Sequence, residues 1–166
     1  MLVLGLDPGL RNTGWGIIDS DGVRLRYVAD GVVKSDASLD LAQRLAQLHE
    51  GVRDLILRYR PDEAAVEQTF VNKNPESTLK LGQARGVVLL APALAGLPVG
   101  EYAPTQVKQS VVGTGRAQKD QVGMMVRTLL PGCLVQSPDA ADALAVAICH
   151  AHHRHTAKRV LQGMGR

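Results

Sequence analysis

An α/β fold, with a five-stranded mixed sheet flanked by helices, is the architecture that this sequence predicts. The chain opens with three strand-like segments in succession, and helical and strand-like segments alternate after them. Its 166 residues are the length of one domain with a single hydrophobic core. No internal repeat or long linker divides the chain, so we expect one sheet with helices on its faces.

Five segments have the short apolar or alternating pattern of β-strands: Leu2 to Leu6, Thr13 to Ile18, Val23 to Val33, Ala64 to Val66, and Val99 to Tyr102. Asp7-Pro8-Gly9 is a strong stop signal that ends the first strand. Asp21-Gly22 is a tight-turn signal between the second and the third. The first three strands are therefore predicted to form an antiparallel meander.

Five helices are predicted from apolar stripes or helix-start signals: residues 39 to 59, a long helix from about Pro75, Pro104 to Val112, Gln118 to Leu130, and Pro138 to about His153. In the first, apolar residues recur at steps of three and four, and Pro61 stops the helix. Pro92 is expected to kink or end the second. Helices and strands thus alternate through the second part of the chain.

Composition and cysteine content restrict the class of protein. Hydrophobic residues make up 45% of the chain and charged residues 21%, as in ordinary soluble globular proteins. No apolar run is long enough to span a bilayer, and the N-terminus lacks the basic lead-in and cleavage site of a signal peptide. Cys133 and Cys149 show no metal-type pairing. These features predict a cytoplasmic protein without membrane association.

Positive charge is mild overall but unevenly distributed. The net charge of +3 is common among proteins that do not bind nucleic acid, so it decides little by itself. Residues 104 to 119 carry three basic side chains and no acidic one, and no acid follows His150. We assign residues 1–155 to the folded domain and residues 156–166 to a basic C-terminal tail whose composition allows disorder.

Two carboxylates follow predicted core strands directly. Asp7 comes at the end of the first strand and Glu67 at the end of the run Ala64 to Val66. A carboxylate in such a position is costly unless a positive charge meets it. If the two strands are parallel neighbours, Asp7 and Glu67 emerge side by side at one edge of the sheet, where α/β folds usually have their sites.

Two further acids begin the last predicted helix. Ser137-Pro138 is a helix-start signal, and Asp139 and Asp142 then lie one turn apart on one face. Taken alone, they could simply complement the helix dipole. Four acids on three separate elements instead favour hard oxygen ligands around one or two Mg²⁺ ions. No His or Cys lies within a few residues of them, which disfavours zinc.

Four blocks of sequence resemble, in order, those of the RuvC Holliday-junction resolvases. They are GLDPGLRNTGWGII at 5–18, AVEQTFVNKNPES at 65–77, APTQVKQSVVGTGRAQKDQV at 103–122 and SPDAADALAVAICH at 137–150. The resemblance runs from about Met1 to His153 and does not include the last dozen residues. It implies an RNase H-like fold, a bacterial homodimer and cleavage of four-way DNA junctions in recombination and repair.

The resemblance also implies roles for individual residues. Its metal-binding catalytic acids correspond to Asp7, Glu67, Asp139 and Asp142, with Mg²⁺ as the metal, two ions expected in each subunit, and Mn²⁺ as a substitute. Lys108 and Lys119 would contact or neutralise the reacting phosphate region. Phe70 matches an aromatic residue that inserts near the junction centre. The family works with the branch-migration proteins RuvA and RuvB.

Three weaker patterns leave alternatives open. The glycine-rich stretch 113–119 is either a flexible connector or a phosphate clamp that uses Arg116 and Lys119, and we favour the clamp. Phe70 is either a core residue or, in its polar loop, an exposed ring that stacks on a base. The histidines at the end of the chain favour a solvated, weakly basic helix end over a zinc site.

Other functions remain open from the residues alone. Residues 7 to 16 also look like the phosphate-binding hairpin of actin-like and sugar kinases, but those proteins need two such domains. An RNase H-like nuclease acting on structured RNA, similar to the YqgF family, is a closer alternative. A junction-binding module without activity is a third, and the complete set of acids argues against it.

Overall fold

The computed structural model of the chain describes residues 1–68, 73–135 and 137–164. Within these ranges five strands form one sheet: β1 Leu2–Asp7, β2 Asn12–Ser20, β3 Leu25–Lys34, β4 Glu63–Glu67 and β5 Val99–Tyr102. Five helices surround it: α1 Leu41–Tyr59, α2 Pro75–Leu94, α3 Pro104–Val112, α4 Lys119–Leu129 and α5 Pro138–Met164. The predicted five-stranded sheet with flanking helices is confirmed.

The sheet has the strand order β3-β2-β1-β4-β5. The pairs β1–β2 and β2–β3 are antiparallel, so the predicted meander is confirmed. The pairs β1–β4 and β4–β5 are parallel, which makes the sheet mixed. The carboxyl ends of β1, β4 and β5 therefore lie at one edge of the sheet.

The turn between β2 and β3 is longer than the sequence predicts. The side chain of Asp21 accepts hydrogen bonds from the backbone N–H groups of Val23 and Arg24, at 2.9 and 2.7 Å. Gly22 has a φ of 98°, a conformation that glycine adopts without strain. The turn takes up Val23 and Arg24, so β3 begins at Leu25 and the predicted start at Val23 is wrong.

The sheet separates two apolar layers because successive strand residues face opposite sides. Val3 of β1 packs into the layer that α3, α4 and α5 form. Leu4, the next residue, packs into the layer with α1 and α2. Both side chains are fully buried. Asp7 has the same parity as Val3, and its position on the strand therefore corresponds to the α5 side of the sheet.

Helix α5 lies directly on the backbone of β1 and β2. A Cβ atom at Gly5 would stand 2.1 Å from the carbonyl oxygen of Ala143, and one at Gly14 would stand 2.0 Å from that of Asp139. These distances are far below van der Waals contact, so glycine is required at both positions. The small side chains of α5, including Ala147, complete this close contact. The start of α5 is thereby held against the ends of β1 and β2.

The ends of α2 and α5 differ from the expected ones. Pro92 lies inside α2 and the helix ends two residues later, at Leu94. Helix α5 continues beyond His153 to Met164, because no proline and no glycine before Gly163 interrupts it. The described part of the predicted tail is therefore helical. None of the described helices combines the length and apolarity that crossing a membrane requires.

Replacing Gly5 by alanine should destabilise the fold. The new methyl group would meet backbone atoms of α5, which cannot rotate away as a side chain can. Overpacking of this kind costs about 1–3 kcal/mol, which corresponds to a fall in Tm of roughly 2–12 °C for a chain of this size. Gly163→Ala is the control, because Gly163 meets no atom within 4 Å. Equal melting of the two variants by circular dichroism would contradict the close contact.

Candidate active site

Asp7 and Glu67 lie side by side at the carboxyl ends of two parallel strands. Leu6 of β1 is in register with Val66 of β4, so the next residues on the two strands are Asp7 and Glu67. Their carboxyl groups are close enough for Glu67 to raise the pKa of Asp7. This register confirms the prediction that Asp7 and Glu67 emerge next to each other at the ends of two parallel strands.

The start of α5 brings the other two acids to the same edge. The Ser137 hydroxyl accepts a hydrogen bond from the N–H of Ala140 at 3.1 Å, as a helix N-cap does. The backbone of Asp139 rests on Gly14, which is paired with Asp7 across β1 and β2. Asp142 lies one turn further along the helix. The first two turns of α5 therefore cover the end of the β1–β4 pair.

A cavity of about 280 Å³ opens where these elements meet. Asp7, Glu67 and Asp142 line one part of it, and Lys108 and Lys119 line another. Its remaining walls are apolar or small and come from α3, α4 and α5: Pro104, Val107, Val122 and Ala145. Three carboxylates and two ammonium groups thus share one semi-enclosed space. The predicted Asp139 is not among the residues that line it, although its charge contributes to the raised pKa of Asp7.

The pKa values of Asp7, Glu67 and Asp142 are raised because these acids are buried next to one another. Burial raises the pKa of Asp7 to about 8, with further contributions from Glu67, Asp142 and Asp139. Burial also raises the pKa of Glu67, and the charge of Asp142 adds to that effect. The pKa of Asp142 is raised by burial as well, although Lys119 opposes the shift. Without a bound cation the cavity therefore disfavours full ionisation of its acids.

The two lysines supply part of the missing positive charge. Lys119 Nζ lies 3.5 Å from Asp142 Oδ2, and the charge of Asp142 raises the pKa of the lysine. Lys108 on α3 lowers the pKa of both Glu67 and Asp142. The Lys119 side chain is 82% exposed, so solvent weakens its ion pair. A net negative charge remains in the cavity when the acids ionise.

The residues of the cavity fit a divalent metal ion. Their donor atoms are carboxylate oxygens, which Mg²⁺ and Mn²⁺ prefer. Three elements, β1, β4 and α5, each bring a negatively charged side chain to the cavity. Among the described residues, no three His, Cys, Asp or Glu side chains already have the spacing of a formed metal site. A bound ion would therefore have to draw the carboxylates of the cavity into a tighter set than they form here.

Some residues singled out from the sequence lie elsewhere. Arg116 is exposed in the loop between α3 and α4 and is not among the described residues that line the cavity. Phe70 lies outside the described residues. The histidines of α5 have separate partners: His150 bonds Glu63 and Tyr102, His152 bonds Ser110, and His153 stacks near Tyr102.

Arg85 is a contributor that the sequence did not indicate. Its Nε donates to the backbone carbonyl of Glu67 at 3.4 Å, and its guanidinium forms an ion pair with Glu101. Arg85 thus connects α2 to the ends of β4 and β5 next to the cavity. No local pattern marks it, because its partners are 16 and 18 residues away.

Comparisons of the sequence identify close relatives. Residues 3–150 match the protein-family model described as crossover junction endodeoxyribonuclease RuvC. The crossover junction endodeoxyribonuclease RuvC of Paramagnetospirillum magneticum is 71% identical over 166 residues, which are 100% of both chains. That of Rhodospirillum rubrum is 68% identical over 154 residues, 93% of this chain and 91% of the relative. The matched range includes every element that lines the cavity.

A solved structure agrees with the sequence comparisons. The structure of T. thermophilus RuvC in complex with a Holliday junction substrate resembles this fold with a TM-score of 0.88. The two sequences are 37% identical, and the match covers 95% of this chain and 96% of that one. The likeness therefore extends through nearly the whole fold described above.

Replacing Asp7 by asparagine should stabilise the metal-free protein at pH 8 but not at pH 4. The pKa of Asp7 rises from an ordinary 3.8 to about 8 on folding, so the folded state loses stability as the pH increases between those values. Asparagine does not ionise and avoids this loss. We expect Tm to rise by about 3 °C or more at pH 8 in EDTA, since 1 kcal/mol shifts Tm by about 2–4 °C.

The exposed Asp54 provides the control, as its side chain is 68% exposed. Asp54→Asn should change Tm little at either pH. A Tm difference between wild type and Asp7→Asn that is the same at pH 4 and pH 8 would contradict the buried, repelled state of Asp7.

Proposed function

Since the chain belongs to the RuvC family of crossover junction endodeoxyribonucleases, it is a metal-dependent DNA endonuclease that resolves Holliday junctions, and we propose that Asp7, Glu67, Asp139 and Asp142 perform its chemistry. The predicted RNase H-like class is confirmed by the likeness to RuvC structures. The proposal for the acids depends on one observation, the convergence of carboxylates from β1, β4 and α5 at one cavity.

The four acids would hold two Mg²⁺ ions, for which Mn²⁺ can substitute. Asp7 and Glu67 at the strand ends, with Asp139 and Asp142 on α5, would supply the carboxylate ligands, and the charges of the other three acids all raise the pKa of Asp7. Two ions in such a site activate a water molecule and stabilise the departing 3′ oxygen. The protein orients these ligands on the ends of paired strands and on a helix that lies against them, which keeps the set rigid.

The lysines complete the charge balance around the scissile phosphate. Lys108 and Lys119 line the same cavity as the acids, and a phosphodiester entering it adds another negative charge. Asp142 raises the pKa of Lys119, so the charge of this ammonium group is present wherever the acids ionise. We assign both lysines to contact the phosphate and to stabilise the charge that develops on its oxygens during hydrolysis.

The loop before α4 would extend the DNA contact beyond the cavity. Arg116 is exposed in this loop, three residues before Lys119, so its side chain is available to a neighbouring phosphate. Gly113 ends α3 with a φ of 91°, which lets the chain turn sharply toward α4. Binding through such contacts weakens as salt rises, because each phosphate contact releases counterions.

Paired symmetric cuts require two active sites, which favours a homodimer. One exposed stripe of α2 is suited to it: Leu79, Gly82, Gly86, Leu90 and Leu94 follow one another at steps of three or four residues. Leu79 and Leu94 are 64% and 69% exposed, and nothing within 4 Å covers either glycine. Small residues between apolar ones allow two helices to pack closely.

We further propose cooperation with RuvA and RuvB in the bacterial cytoplasm.

Asn substitution of Asp7 or Asp142 should abolish cleavage and leave junction binding intact. Each substitution removes a charged oxygen from the metal site, and several kcal/mol of transition-state stabilisation correspond to a rate loss of about 100-fold or more. Cleavage of a synthetic four-way junction in Mg²⁺ and its binding in EDTA are measured side by side. Glu76→Gln, on the exposed start of α2, is the control. Retained cleavage by either variant would refute the assignment.

The same experiment separates the enzyme from its alternatives when linear duplex DNA, structured RNA and ATP are added as substrates. Paired symmetric nicks confined to the junction are the expected result. Hydrolysis of the RNA in preference to the junction would instead support the activity of a YqgF-like nuclease.

Phe70→Ala should impair junction cleavage without unfolding the protein. A ring stacked on a base contributes about 1–3 kcal/mol, so its loss should lower the cleavage rate by about tenfold. Phe70→Trp keeps an aromatic surface and should retain most of the activity. Tm of the alanine variant should stay within about 2 °C of wild type, whereas a fall of more than about 6 °C would mark Phe70 as a core residue.

A further inference from the structure

A buried polar network lies beneath α5, away from the catalytic cavity. Glu63, the first residue of β4, accepts from Arg154 at Oε1, and its Oε2 lies 2.6 Å from His150 Nε2. The other ring nitrogen of His150 lies 2.9 Å from the hydroxyl of Tyr102. The side chains of Glu63 and His150 are only 8% and 5% exposed.

The network is built into the sheet and fully paired. No buried side-chain nitrogen or oxygen among the described residues lacks a partner. Gly100 of β5 makes room for the imidazole, because a Cβ there would stand 2.7 Å from His150 Nδ1. A buried carboxylate that loses its partners is strongly destabilised, so Glu63 constrains where His150 and Arg154 can lie. The contact thus fixes one point of α5 to one point of β4.

The distance from the polar network to the catalytic acid is nearly the same along β4 as along α5. Glu63 and Glu67 are four residues apart on β4, which is about 13 Å along a strand. His150 and Asp142 are eight residues apart on α5, which is about 12 Å along a helix. Helix α5 runs antiparallel to β4, so pairing Glu63 with His150 at one end brings Asp142 opposite Glu67 at the other.

The contacts between the two ends control the closeness of α5 more than its axial position. Gly5 and Gly14 let the helix approach, but its facing residues are largely alanines, which present a smooth surface. Leu144 packs over Gly16, and Val146 and Ile148 are larger side chains buried in the same apolar layer. At the catalytic end Glu67 and Asp142 repel each other. The ion pairs of Glu63 with His150 and Arg154 add a directional attachment at the opposite end, which apolar packing does not supply.

We propose that Glu63, together with His150 and Arg154, is a positioning residue that sets the axial register of α5 on β4 and thereby the separation of Asp142 from Glu67. The inference depends on the proposed metal site. None of the three residues lines the catalytic cavity. A shift of about 1 Å in the ligand set is enough to weaken metal binding and catalysis substantially.

Metal affinity measured without turnover tests this role. Mn²⁺ is titrated calorimetrically into wild type, Glu63→Ala, Glu63→Gln, Val88→Ala and Asp7→Asn, and the Mg²⁺ dependence of junction cleavage is measured in parallel. Glu63→Ala should weaken Mn²⁺ binding about tenfold, within the range found when groups that orient metal ligands are removed. In Glu63→Gln the amide oxygen still accepts from Arg154, and the amide nitrogen can donate to His150 Nε2 when that nitrogen is unprotonated, so this variant should be affected less. Val88→Ala loosens the core on the opposite face and should bind Mn²⁺ normally.

Wild-type affinity in Glu63→Ala, or equal weakening in Val88→Ala, would overturn the positioning role while leaving the metal site in place. Normal Mn²⁺ binding by Asp7→Asn would instead refute the metal site and this inference with it. If Glu63→Ala does not fold, Arg154→Ala takes its place, because Arg154 is 46% exposed and its loss leaves His150 paired with Glu63. That variant should also show weaker Mn²⁺ binding, and unchanged affinity would overturn the proposal.

Discussion

Repulsion between carboxylates that the backbone holds together is the constraint on which this structure depends. Asp7 and Glu67 cannot separate, because they end two strands joined by backbone hydrogen bonds. The start of α5 cannot withdraw easily, because Gly5 and Gly14 seat it directly on the sheet. The fold therefore holds these carboxylates closer together than their mutual repulsion favours. A bound divalent cation converts this unfavourable arrangement into a favourable one.

The rest of the molecule compensates for that repulsion. Lys108 and Lys119 reduce the net charge of the cavity, and apolar layers on both faces of the sheet hold its elements in place. The buried network around Glu63 adds attraction between β4 and α5 at the end where no acids repel. The buried ion pairs of Glu63 thus lie at one end of β4, and the repelling acids lie at the other.

Much of this arrangement could be predicted from the sequence, because strand ends are local signals. Asp7 and Glu67 each follow a short apolar run, and parallel pairing of those runs suffices to bring them together. The length of α5 could not be predicted, since the lack of proline and glycine between His153 and Gly163 permits a longer helix but does not require one. The roles of Gly14 and Glu63 could not be predicted either, because each depends on a residue of α5 more than 80 positions away in the sequence.

The most direct measurement is the anomalous scattering of a crystal grown with Mn²⁺. We expect two anomalous peaks about 3.5–4 Å apart, within ligand distance of carboxylate oxygens of Asp7 and Glu67 and of an acid on α5. Peaks located only at the histidines of α5, or no peak between the strand ends and α5, would contradict it.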